Sequence, residues 1–214
     1  MKKILFVAAA VLAAVSLRAE ADGYIMMSVY SPGELPGPSS VIHGGRLSLI
    51  YGECRELYGL DISVTGSVRE RMYGAQLGLI LNYVDVAAGY QRSFANFVEH
   101  EFYGLQDGAW NHAAEGYGAQ HGIVNTAGYF SGHQSALAIN WADEVYGFQS
   151  AGLWNHATDG FGMQHGLVNT ADYFCGFQLG FFNWAEDLDG LQIGLVNVVA
   201  NQAVPVLPFI NIGF

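Results

Sequence analysis

Gly190-Leu191-Gln192-Ile193-Gly194-Leu195-Val196-Asn197 decides how this chain folds, because the phrase G-h-Q-x-G-h-h-N, with h apolar, recurs nine times from Tyr73 onward. Its anchors are Gln76, Gln91, Gln106, Gln120, Gln134, Gln149, Gln164, Gln178 and Gln192, spaced by 14 or 15 residues, each with Gly two places before it. The closing residues are Asn82, Asn96, Asn111, Asn125, Asn140, Asn155, Asn169, Asn183 and Asn197. A unit this short cannot bury a core alone, so the chain is a tandem array whose copies stack on one another.

Within a unit the apolar residues alternate with period two, which is the mark of a strand. Gly at two fixed positions argues against helix, where each would cost roughly 1 kcal/mol relative to Ala. About eight strand residues and a turn of about six, rich in Gly, Asn, Asp and Thr, are expected per unit. Three units, Gln76 to Asn82, Gln134 to Asn140 and Gln149 to Asn155, carry one extra residue and read as β-bulges. The phase continues upstream, where Asp61 and Arg46 stand 15 and 30 residues before Gln76, and downstream, where Val206 and Asn211 fill the Gln and Asn slots of a last, degenerate unit. The total is about twelve strands, with Tyr24 to Tyr30 as a further N-terminal candidate. A longer period is superimposed: residues after Asn cycle as His112, Thr126, Trp141, His156, Thr170, Trp184, and Trp110 to Gln134 matches Trp154 to Gln178 at an offset of 44. A block of three units has been duplicated.

Residues 1–21 read as a secretory signal, with Lys2 and Lys3, an apolar run from Ile4 to Leu17, and Ala19-Glu20-Ala21 as a small-x-small cleavage site. Residues 22–44 then form an N-terminal segment and 45–214 a single repeat-built β domain. Removal of the signal leaves five arginines against eighteen acids, a net charge of −13, and no Lys or Arg follows Arg92. Such a surface repels a phosphate backbone, so nucleic acid is excluded as a partner. Cys54 and Cys175 stand eight repeats apart, and one pair is no disulfide framework even in an oxidising compartment.

The stretches GRLSLIYGE at 45–53, YGLDISV at 58–64, YGAQLGL at 73–79, GLQIGLVNV at 190–198 and the terminal PVLPFINIGF together resemble a family of exported bacterial surface-repeat proteins. This is the leptospiral-type surface repeat, built from tandem GLQxGLxN units, and the likeness covers nearly all of the mature chain. It implies a surface or envelope location and no catalytic residues. The chain departs from the aliphatic pattern directly after Gln, where it carries Arg92, Asp107, His121, Ser135, Ser150 and His165.

Two all-β architectures accommodate the array. With the apolar face outward and the Gly/Gln face inward it is a closed antiparallel outer-membrane β-barrel. Tyr73, Tyr103, Tyr117, Tyr146 and Phe161 would then form an interfacial girdle, and the terminal Phe214 resembles an outer-membrane strand signal. With the apolar face inward, each unit is one coil of a parallel β-solenoid, with Leu and Ile in the core, Asn ladders at a corner and Gln outside. The uniform turns favour the solenoid; the aromatic band and Phe214 favour the barrel, which is the expectation, with membrane lipid as its surroundings.

Arg92, Asp107, His121, Ser135, Ser150 and His165 form the one candidate polar binding stripe, since strands about 4.8 Å apart would let Arg92 pair with Asp107 and Asp107 with His121. His112 and His121, repeated as His156 and His165, fall on opposite ends of a unit and do not converge as a zinc set would. No nucleophile elbow, phosphate loop or C-x-x-C occurs, so no catalytic residue, cofactor or metal is expected. The expected function is a non-enzymatic outer-membrane or cell-surface protein with a structural or interaction role. The alternative is a secreted or periplasmic β-solenoid that recognises a protein or glycan.

Overall fold

The computed structural model describes residues 22–31, 33 and 36–214, and the expected signal at 1–21 lies outside them. Those residues are all-β, in four elements: β1 (Gly23–Tyr30), β2 (Val41–Arg92), β3 (Ala95–Val199) and β4 (Val206–Gly213). The sheet is open, in the order β1-β2-β3-β4. β1 pairs with β2 and β2 with β3 in parallel. Asn82 stands beside Asn96 and Gln91 beside Gln106, so each residue meets its counterpart one repeat later. The register shift between Val84 and Ala87 marks the single place where the Asn-to-Gln segment gains a residue.

This pairing corrects the favoured expectation. A closed antiparallel barrel reverses direction at every turn, whereas here the chain keeps its direction and climbs by one repeat per circuit. The strand-plus-turn division gives way as well, because β2 runs for 52 residues and β3 for 105 without interruption. In a parallel stack even the corner residues pair with the coil beneath, so no turn interrupts the ladder.

The facing is also inverted relative to the solenoid alternative. All nine Gln and all nine Asn of the repeats are buried, while Leu79, Leu137 and Leu153 are exposed. A circuit of 14–15 residues has only about 50 Å of backbone at 3.3 Å per residue. The lumen it encloses has no room for opposed rows of Leu: one coil is filled by a single large side chain, Phe130, together with Gln120, Asn125 and Ala127. The coil direction of one architecture is thus combined with the facing of the other.

The buried amides form two ladders. Each Gln Nε2 donates to the Gln Oε1 of the preceding coil, from Gln91 to Gln76 (3.0 Å) through to Gln192 to Gln178 (2.8 Å). Each Asn Nδ2 donates the opposite way, to the Asn Oδ1 of the following coil, from Asn82 to Asn96 (2.9 Å) through to Asn183 to Asn197 (2.8 Å). Burying an amide is costly unless it is hydrogen-bonded, and here each amide within the array is paired with its own copy. Upstream, Arg46 and Asp61 do continue the Gln column, as a bidentate pair with Nε–Oδ1 2.8 Å and Nη2–Oδ2 2.6 Å.

The Gly two places before each Gln takes positive φ in every unit, from +122° at Gly162 to +155° at Gly190. A Cβ there would also overlap the carbonyl oxygen of the same Gly one coil back, so the column admits only glycine. Elsewhere the core trades size between coils. A Cβ on Gly116 would meet the ring of Phe130 and one on Gly160 the ring of Phe174, 44 residues later in both cases.

The last unit does not continue the coil. β4 turns back and pairs antiparallel with the end of β3, placing Asn211 opposite Gln192 rather than beneath Asn197. Pro205 and Pro208 explain the break, because each removes an N–H that a continued parallel ladder would use.

Candidate interaction face

Between Gln and Asn the chain runs along one side of the stack, and its alternate residues point out. The outward residue two places before Asn is Ile80, Phe94, Ile123, Leu153, Leu167, Phe181 or Leu195 in seven of the nine coils, and all seven are exposed. In the bulged Gln134 coil, Leu137 stands out furthest, with 73% of its surface accessible. Ala138 in that coil has Leu137 beside it, whereas Ala109 takes the place of a large residue and leaves a notch. An apolar pocket lies there, lined by Phe94, Ala109, Trp110, Ile123 and Val124.

The predicted polar stripe runs beside this column on the same side. Arg92, His121 and His165 are exposed and Asp107, Ser135 and Ser150 partly so, so the row meets solvent and occupies neither a lumen nor a core. The structure brings Arg92 and Asp107 together, with Nε 3.7 Å from Oδ2, and Tyr90 Oη donates to the same carboxylate at 3.4 Å. His121 turns instead to His133, ring centroids 5.9 Å apart, and His133 packs edge-on against Phe148 at 4.9 Å. Burial, then the neighbouring His121, lower the affinity of His133 for a proton. The row is a set of separate contacts rather than a convergent site.

A second side carries the aromatic band. Its rings stack along the coil axis: Tyr103 on Tyr117 at 4.9 Å, Tyr146 on Phe161 at 4.7 Å, both with nearly parallel planes. Where this position is Ser131 or Cys175, Tyr129 and Tyr173 lean in and keep the stack continuous. Rings whose faces are covered by one another present edges and hydroxyls outward, so the expected girdle is a packing column and offers few free faces to a sugar. Glu101 accepts a hydrogen bond from Tyr103 (2.9 Å), which raises the phenol's pKa.

The third side carries the three-coil cycle. His112 Nδ1 lies 2.9 Å from Thr126 Oγ1 and His156 Nδ1 2.9 Å from Thr170 Oγ1. Both imidazoles are half-buried, which holds their pKa below the ordinary value. Trp141 packs at 4.1 Å from His156, and Trp154 Nε1 donates to Thr170 at 2.8 Å, so the indoles are tied to neighbours. Among the described residues no group of three or more His, Cys, Asp and Glu is placed to hold a metal. Cys54, which is buried, and Cys175 are not joined in a disulfide.

What sequence reasoning missed is the apolar column itself, which it assigned to lipid or to the core. The signal was the Ala109 notch: a lipid-facing or core column would have little reason to drop one large side chain. No protein-family model, curated protein or solved structure matches the chain.

Proposed function

We propose that this chain is an exported, non-enzymatic interaction module of the bacterial envelope, a β-solenoid whose amide-laddered core holds one flat apolar column out to a protein partner. The observation that carries this reading is the outward Leu/Ile/Phe column on a backbone fixed by two hydrogen-bonded ladders. Monomeric soluble proteins rarely expose contiguous apolar patches beyond a few hundred Å², and larger ones mark contact surfaces. The signal-like 1–21 segment and the resemblance to exported surface repeats support the envelope as its location. Parallel pairing and an open sheet favour the solenoid over a membrane-spanning barrel.

The test is site-specific photo-cross-linking in the intact envelope. A photoreactive residue at Leu137, on the column, should give discrete protein adducts, and the same residue at Glu144, exposed on another side, should not. Equal or absent adducts at both sites would refute the reading.

A further inference from the structure

Resting on that reading, we infer that the occupant of the apolar column is a second copy of this chain, packed face to face with its axis reversed and the two-fold through the Gln134 coil. The area is sufficient. Large apolar residues half or more exposed line the side from Leu49 to Ile212. Together they offer on the order of 800 Å², the share each partner contributes to a stable interface.

Reversal is argued from the column's own irregularities. Nine coils with Gln134 in the fifth place Leu137 opposite itself, Ile123 opposite Leu153 and Phe94 opposite Phe181. The Ala109 notch then faces Leu167, a large side chain for the apolar pocket at that notch. Beside it Asp107, already drawn to Arg92, faces His165 of the second copy. A same-direction pairing would instead set notch at the level of notch and Asp107 at the level of Asp107. Two-fold pairing is self-complementary by construction, so one surface serves both copies.

Lipid is disfavoured by the same side. Arg92 and Asp107, with His121 and His165, run alongside the column, and a charge facing lipid at mid-membrane is strongly disfavoured. A mature charge of −13 also repels anionic headgroups.

The experiment uses the mature chain, 22–214, with Cys175→Ser to remove the accessible thiol. Sedimentation should give twice the chain mass, and Leu137→Arg should give the chain mass with an unchanged circular dichroism spectrum. A short bis-maleimide should link Leu137→Cys copies at least ten-fold faster than Leu195→Cys copies, because only the former lies on the axis. A monomer at all concentrations overturns the inference. So does equal linking at both sites, which means same-direction pairing, or a monomer that floats with zwitterionic vesicles. An envelope adduct from Leu137 to a different protein overturns it while leaving the interaction module standing.

Discussion

Arg46 and Asp61 meet as a fully buried, two-pronged ion pair in the column that every later coil fills with Gln. Arg46 Nη1 also donates to the Ser67 carbonyl at 2.6 Å and lies 3.1 Å from Cys54 Sγ. Removing one member strands the other charge out of water, so Asp61→Leu is expected to cost about 3 to 5 kcal/mol. Replacing both by Gln extends the amide ladder by two rungs and should be neutral or stabilising. Urea denaturation of the two variants checks the contrast, and equal losses in both would refute it.

Gln134 accepts from Gln149 (2.9 Å) and donates to Gln120 (2.8 Å). Gln134→Leu therefore leaves one donor and one acceptor unpaired at once, each worth about 1 to 3 kcal/mol. Asn211 is the counter-case, since both its polar side-chain atoms are buried without a partner. Asn211→Leu should hold or raise the melting temperature, while Gln134→Leu lowers it.

Gly147 has φ +135°, and a Cβ on it would run into the Gly132 carbonyl. Gly147→Ala is expected to destabilise by at least the roughly 1 to 3 kcal/mol of a forced backbone region. Ala151, buried at an inward position of the same coil, carries its Cβ without penalty, so Ala151→Gly should cost under about 1 kcal/mol. Paired thermal melts distinguish a glycine requirement from a general sensitivity of that coil.

His112 and His156 titrate below 6.5 because burial penalises their charged forms, for His156 against weaker pull from Asp172 and Asp143. Between their folded values and 6.5 the unfolded chain binds more protons than the folded one. Their contribution is thus complete above pH 6.5 and is lost as pH falls through the folded values. His100 runs the other way: its hydrogen bond to Asp85 raises its pKa, so that contribution is present in acid and fades as pH climbs past the folded value. Stability measured from pH 7.5 to 5 should fall, and the fall should shrink in a His112→Gln/His156→Gln double variant. An unchanged slope would exclude these two groups as its source.

Spacing alone carried the array, its 14–15-residue unit, the three-coil duplication and the continuation of the Gln column back to Asp61 and Arg46. Period-two alternation announces two faces yet is silent about which is inside, because exchanging the faces leaves Gly190 to Asn197 equally regular. The circumference of the coil settles that question, and circumference belongs to the closed circuit rather than to any window of sequence. Direction was hidden for a related reason: corners of equal length and composition serve a parallel climb or an antiparallel meander alike. The reversal of β4 was missed, because Val206 and Asn211 kept the phase of the array, although Pro205 and Pro208 carried its signal. The Arg92–Asp107 contact followed from adjacency, whereas the company of His121 depended on His133, outside the stripe.

The two amide ladders run in opposite senses, and each leaves one acceptor over, Gln192 Oε1 at one end of the array and Asn82 Oδ1 at the other. Their donor ends are met by backbone, Gln76 on the Gly66 carbonyl and Asn197 on the Gly194 and Leu207 carbonyls. The unmet demand is therefore the same for nine rungs as it would be for three or thirty, and opposed side-chain dipoles keep the field along the axis from accumulating with each addition. Growth by copying whole coils, as the 44-residue echo records, meets no rising penalty, so the length of such a rod is free to be set by what it must reach.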